Sequence, residues 1–399
     1  MRLVLATNHL GLGGSESYLL TVAEQLQRLG HEVSLYSAEH GPGAAVAQQR
    51  AIPLCEPGQL PEELDAAIVQ DAAVSYELAA QRPAVPQLFV AHSESFDLQA
   101  PPQFGEAVRV VVALNDRVAT RMRSLALERE VVRLRQPIDT ERFTPRGRLP
   151  RRPRRALLLS NTPHEDRIEM LEEACAAAKL ELVRVGGRDG QTPDPREALH
   201  GVEIVIGYGR SILEGMACGR AAYVYDWNGG EGWVTPKSFR RIEADGFAGR
   251  SGETVLDGDR IRKDLRKYTR TMGPVNHDLV LAYHRANVHA QEMLGLLAEL
   301  GSPGAAPDPE PLREMARLVR LEWRARVEAQ NLASENAILH DHLARSERRL
   351  GEAQQAAAAE AKKGEKLART YEGTLSWRLT APLRALRDLL RRLRRRSAP

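Results

Sequence analysis

Two glycine-bounded turns and one histidine are the residues whose types and spacing could do chemistry. In IGYGRSILEGMACG, Gly207 and Gly209 follow an apolar run that reads as a strand, Ser211 is a candidate N-cap, and Glu214 is expected in the first turn of the next helix. A carboxylate there gains from the helix dipole and can accept two hydroxyl hydrogen bonds, as a ribose requires. In LVLATNHLGLGGSES, Gly11, Gly13 and Gly14 close a strand and lead into a helix starting near Ser15 and Glu16. Such a turn lets backbone come close to a bound group, and the helix start offers unpaired N–H donors to an anion or a sugar oxygen. His92, in QLFVAHSES, follows a third apolar run.

Each feature also has a plainer reading. Glu214 is the acid that helix starts favour, the glycines make tight strand-to-helix connections, and His92 is hydrogen-bonded core lining. The first glycine turn is not the dinucleotide fingerprint GxGxxG, and HEVSLYSAEH offers Glu39 only loosely as an acidic ribose ligand. No His, Cys and carboxylate cluster has metal-site spacing. His277, His284 and His289 are seven and five residues apart on an expected helix and need not face one ligand. Cys55, Cys175 and Cys218 sit in apolar or helical contexts and read as reduced, structural thiols.

The elements that would position these residues divide the 399-residue chain into five stretches. Residues 1–145 alternate β-branched runs (LVLAT, HEVSLYS, AAIVQD, QLFVAH, VRVVVALN) with helical periods, the pattern of a parallel sheet covered on both faces. Residues 146–155, in RGRLPRRPRRA, break periodicity with prolines and arginines and read as a linker. The alternation resumes over 156–300, predicting a second, smaller parallel α/β domain. Residues 309–370 form an expected helical stalk, in which Leu332, Leu339, Leu343 and Leu350 repeat at seven and four with Asn336 in the same seam. That seam over 312–368 fits either a coiled coil, with itself or a partner helix, or a single solvated helix.

Residues 371–399 carry eight arginines against Glu372 and Asp388, an excess larger than the +3 of the whole chain. Within 371–396, Trp377 and Leu379, Leu383, Leu386, Leu389, Leu390 and Leu393 alternate with Arg384, Arg387, Arg391, Arg394 and Arg395. An amphipathic helix of this kind is too charged to span a bilayer and is expected to lie on an anionic membrane surface. No recognition motif or aromatic platform accompanies the arginines, so no nucleic-acid partner is expected. The opening MRLVLATNHLGLGG has neither a cleavage site nor a stop-transfer stretch, which predicts a cytoplasmic chain.

Three stretches together, LGLGGSESYLLTVAEQLQRLGHEVSLYS, the ID-T-E-RF-TP run at 138–145, and ILEGMACGRAAYVYDW, resemble retaining family-4 glycosyltransferases of the GT-B fold, over roughly residues 1–295. The resemblance implies an α/β chain of two Rossmann-like domains facing a cleft, with the acceptor on the N-terminal side and a nucleotide-sugar on the C-terminal side. It places Gly13 and Gly14 beside the donor phosphates, His92 near the reacting sugar and Glu214 on the ribose. Gly207, Gly209 and Arg210 fall in the same donor-side loop.

The chain departs from the family at two positions. Ile206 stands where the first glutamate of the pair belongs, and Asn161, in LLLSNTPHEDR, where a diphosphate-binding arginine belongs. Arg167 is a candidate for the accompanying lysine, and Arg210, Asp226, Glu231 and Lys237 are neighbouring candidates to compensate. SWRLTAPLR also resembles segments that follow coiled coils in bacterial surface-polysaccharide glycosyltransferases, implying a place at the inner membrane. The expected function is therefore metal-independent, retaining transfer of a sugar from a nucleotide-sugar to a glycan or lipid-linked acceptor, with no cofactor. The alternative is a non-catalytic scaffold of the same fold that organises polysaccharide enzymes.

Overall fold

The computed structural model describes residues 1–94, 96, 99–103, 107–125, 129–161, 165–187, 190, 192–226, 229–252, 256–301 and 308–396. Residues 1–323 form one compact unit that contains two sheets. The first sheet is built from β1 (Arg2–Leu10), β2 (Glu32–His40), β3 (Ala66–Val69), β4 (Gln87–Ala91), β5 (Val108–Ala113) and β6 (Glu130–Arg133), in the order β2-β1-β3-β4-β5-β6. Every pairing in it is parallel. All residues of β3 and β4 are buried, as expected of strands covered on both faces. Helices α1 (Gly14–Arg28), α2 (Gly43–Gln49), α3 (Ala72–Gln81) and α4 (Asp116–Ser124) provide the cover.

The second sheet joins β7 (Arg155–Leu159), β8 (Glu181–Val185), β9 (Ile204–Gly207), β10 (Ala221–Asp226) and β11 (Gly229–Trp233) in the order β11-β10-β9-β7-β8. Its pairings are parallel except for β11, which returns antiparallel to β10. With α5 (Glu165–Ala177), α6 (Arg196–His200), α7 (Arg210–Ala217), α8 (Pro236–Ala244), α9 (Gly258–Leu265) and α10 (Met272–Tyr283), it encloses two further apolar cores.

The chain then crosses back. Ile138 N donates to His284 O at 2.7 Å and Ala286 N to Ile138 O at 3.0 Å, pairing the outgoing and returning crossovers. Helix α11 (Ala286–Glu299), expected with the second sheet, packs instead on α1, with Ala290, Met293 and Leu297 buried in the first sheet's core. Helical periodicity shows that one face is buried, not what buries it. The arginine-rich segment before β7 also packs: Leu149 is 8% exposed and the Arg220 guanidinium donates to Arg146 O at 3.0 Å.

Helix α12 (Pro309–Glu372) begins inside the compact unit, where Leu312 and Ala316 are buried against Ala72, Tyr76, Ala79 and Ala80. The second unit, 324–399, holds the rest of α12, α13 (Leu375–Leu379) and α14 (Ala381–Arg396). Leu332, Leu339, Leu343 and Leu350 are each more than half exposed. Leu383, Leu386, Leu389 and Leu390 of α14 are exposed too, and the Arg384 guanidinium lies 3.6 Å from the Trp377 ring centre. The side chains of Leu393, Arg394 and Arg395 lie outside the described residues. Among the described residues, no helix is long and apolar enough to cross a membrane.

Candidate functional site

The second sheet delivers its chemistry through the turn after β9. Gly207 has φ +157°, and a Cβ there would stand 2.7 Å from Leu159 O, so close strand packing demands glycine. Gly209, at φ +58°, is the N-cap of α7, and Ser211 caps nothing: its Oγ donates to Tyr208 O at 2.7 Å. Glu214 therefore falls in the second turn of α7 rather than the first, and Arg210, not the helix dipole, is its counter-charge.

Glu214 is 8% exposed. Arg210 Nε donates to Glu214 Oε1 at 2.8 Å, Nη1 to Pro137 O at 2.9 Å, and Nη2 to Thr21 Oγ1 at 3.1 Å on α1. One guanidinium thus ties α7 to the crossover and to the first sheet's leading helix. Burial pushes the Glu214 carboxyl above its ordinary range, and the charge and hydrogen bond of Arg210 oppose that shift.

The first sheet answers across a cleft. Gly13 is the N-cap of α1 and Gly14 its first residue, so the helix begins one residue before the expected start. Gly11, Gly13 and Gly14 line the same cavity as Asn161, Gly209, Arg210 and Glu214. Arg50, the C-cap of α2, lines it too; its side chain is 12% exposed and held at 3.0 Å by Glu24. Desolvation, and then the charges of Arg142 and later Arg210, lower the pKa of Arg50, so an anion in the cleft would relieve crowded positive charge. Nothing in GAAVAQQR marks Arg50, because its role arises from contacts distant in sequence.

His92 opens into an adjoining cavity that shares Gly14, Gly209 and Arg210 with the cleft. Its Nε2 is 2.8 Å from Gln70 Oε1, and its ring meets Tyr18 edge-on with centres 5.0 Å apart. Burial first, and Arg210 second, push His92 down to about 3, so the imidazole is neutral at physiological pH. Arg210 thus pairs with Glu214 and lines the same cavity as His92.

The remaining sequence candidates are dispersed. Ile206 is fully buried in β9, paired with Leu158 and Tyr223, so the position eight before Glu214 belongs to the sheet core. Asn161 is exposed at the cleft rim. Arg167 lies in the first turn of α5, outside the residues lining the cleft. Glu231 is held by Arg241 at 2.6 Å, Lys237 is exposed on α8, and the Asp226 side chain lies outside the described residues. His277, His284 and His289 each have a partner of their own: Ala217 O, Gln136 O and Tyr18 Oη, all at 2.8 Å. Among the described residues, no three His, Cys, Asp or Glu side chains are grouped to hold a metal ion.

No protein-family model matches the chain, and no curated protein matches it. Solved structures do resemble it. HepE from Anabaena, in complex with UDP and glucose, is 13% identical with a TM-score of 0.54, covering 75% of this chain and 100% of that one. An α-glucosyltransferase, in complex with UDP and a 13-mer DNA containing a HMU base, is 11% identical with a TM-score of 0.55 and the same coverage. A glycosyltransferase from Rickettsia africae is 14% identical with a TM-score of 0.50, covering 75% of this chain and 98% of its own. Two parallel α/β sheets facing across a cleft, matched along the whole of these neighbours, give the chain the GT-B fold, extended by a long C-terminal helix.

Proposed function

We propose that the protein is a glycosyltransferase that moves a sugar from a nucleotide-sugar, a uridine diphosphate sugar being the first to test, to a glycan or lipid-linked acceptor. The observation that carries this is the buried Glu214–Arg210 pair facing the glycine turn of α1 across one cavity. Glu214 would accept the ribose hydroxyls through the oxygen that Arg210 does not engage. The amides at Gly13 and Gly14, at the start of a 15-residue helix, would donate to the diphosphate. Arg50 and Arg210 would supply the positive charge that a metal-independent transfer needs as the bond from the anomeric carbon to the diphosphate breaks. Neutral His92 would orient the reacting sugar by hydrogen bonding, and the family likeness implies retention of configuration. UDP in two of the similar structures supports the choice of donor base.

The likeness of SWRLTAPLR to segments of bacterial surface-polysaccharide glycosyltransferases supports a role in surface-polysaccharide synthesis at the inner membrane. The basic, leucine-faced helix within 371–396 would attach the cytoplasmic enzyme to anionic lipid, and the exposed leucine seam within 312–368 would pair with a second helix.

A second reading has its own observation: Ile206 is core and Asn161 carries no charge, leaving two family positions without their chemistry. On that reading the chain is a non-catalytic scaffold. Incubating the purified protein with radiolabelled UDP-glucose and UDP-galactose separates the two, since an enzyme releases UDP slowly even to water. A chain that binds UDP but hydrolyses neither sugar nucleotide supports the scaffold.

A further inference from the structure

Helix α12 does more than extend the chain. Its first turns place Val319 and Trp323 over the carboxyl ends of β1 and β3, where Thr7, Asn8 and Asp71 face a cavity of about 50 Å³. Open parallel sheets bind ligands at such strand ends. Glu16 lines both this cavity and the cleft holding Glu214, so the two spaces adjoin. Gln70, beside Asp71 at the end of β3, is the residue that holds His92.

One residue of the cavity wall carries an unused donor. Asn8 is 6% exposed, and its Oδ1 accepts from Arg320 Nε at 3.0 Å, which fixes Nδ2 as the free end of the amide. That buried Nδ2 has no hydrogen-bond partner, a state native proteins seldom leave without a purpose. Asp71, 9% exposed, accepts from Thr7 Oγ1 at 3.1 Å and from Asn8 N at 2.8 Å. The partly exposed Trp323 lies 5.9 Å from the His9 ring, centre to centre.

The chemistry of the wall selects among ligands. Arg320 is already engaged by Glu77 and Asn8, while Glu16 and Asp71 add two carboxylates, so a phosphate would be repelled. An uncharged polyol fits, because its hydroxyls both donate and accept and its C–H face can lie on an indole. At about 50 Å³ the cavity takes the hydroxylated edge of a ring, with the rest of the sugar outside at the rim.

We infer that this cavity is a subsite for an uncharged sugar ring of the acceptor, with Asn8 Nδ2 donating to one hydroxyl, Asp71 accepting from another, and Trp323 stacking on the ring. The inference rests on the glycosyltransferase reading and makes the first turns of α12 a determinant of acceptor choice.

Saturation-transfer NMR on the full chain tests it, using the methyl α- and β-glycosides of glucose, galactose, mannose and N-acetylglucosamine, with UDP protection against heat measured on the same samples. At least one glycoside is expected to receive saturation, to lose most of that signal in Trp323→Ala and to keep it in Trp323→Phe, with UDP protection unchanged in both variants. UDP protection without any glycoside signal, or a glycoside signal undiminished by Trp323→Ala, overturns the subsite and leaves the donor reading standing. A Trp323-dependent glycoside signal without UDP protection supports the subsite and counts against the donor reading instead.

Discussion

Arg210 Nε lies 2.8 Å from Glu214 Oε1, one turn along the same helix, while the same guanidinium reaches Thr21 Oγ1 on α1 at 3.1 Å. Both charged side chains are nearly buried, at 10% and 11% exposure. Removing one member of such a pair leaves the other charge buried without compensation, at a cost of about 3 kcal/mol or more. Arg210→Ala is expected to lower the urea midpoint accordingly, and Arg210→Lys to recover only part of it, because one ammonium cannot span three acceptors. An unchanged midpoint in Arg210→Ala would show that the pair does not join the two sides.

Arg50 gives a prediction on the diphosphate rather than the nucleoside. Arg50→Ala removes a cation from the cleft wall, and losing one charge-assisted hydrogen bond weakens UDP binding roughly tenfold. Calorimetric titration should show that loss for UDP and none for uridine. An equal loss for both would mean that Arg50 acts only through Glu24 and the shape of α1.

The buried histidines set an acid limit. His92, His284 and His289 are pushed down to about 3, about 4 and about 3, in each case chiefly by burial. His92 faces Arg210, Tyr18 and Gln70; His284 lies near Arg133 and Arg135; His289 packs on Tyr18. Each stays neutral in the folded chain while its unfolded counterpart takes up a proton below about pH 6.5. The stability they contribute is therefore present above pH 6.5 and falls by roughly 1.4 kcal/mol per histidine per pH unit towards pH 4. Asp71, raised by burial to about 6, and Glu214, raised in the same direction, work oppositely and lose stability as pH rises through their folded values. Three histidines outweigh two carboxyls, so the urea midpoint should drop from pH 7 to pH 5. A flat or rising midpoint on acidification contradicts the burial of these rings.

Much of this arrangement was legible in the residues, and what was not has a physical reason. The apolar runs of β3, β4 and β9 predict covered parallel strands, whereas the cap falls on Gly209 instead of Ser211 and sets Glu214 one turn deeper in α7 than the acid preference of helix starts suggests. Strand β11 was missed because GGEGW has little strand propensity and is held by its pairing to β10. The Arg210–Thr21 contact spans 189 residues of sequence and leaves no local pattern. Leu312 and Ala316 read as part of a stalk because periodicity does not distinguish a face packed on α3 from one packed on a partner helix.

The C-terminal tail offers a prediction independent of catalysis. Helix α14 is described over Ala381–Arg396, with its leucines exposed up to Leu390. Each arginine near anionic lipid contributes about 1 kcal/mol, a contribution screened by salt. The full chain should sediment with phosphatidylserine vesicles in low salt, and a chain lacking residues 371–399 should stay in the supernatant. Equal sedimentation of both would remove the tail from the membrane account.

The most direct measurement is the melting temperature of the purified chain with uridine, guanosine, adenosine and thymidine diphosphates and their sugars, with Glu214→Ala as control. Ligand that binds only the folded chain at one hundred times its Kd adds about 2.7 kcal/mol, a shift of several degrees. A selective upward shift is expected with one nucleotide, UDP first among them, and it disappears in Glu214→Ala. No shift with any of the diphosphates or their sugars would contradict this expectation, and so would a shift that Glu214→Ala leaves intact.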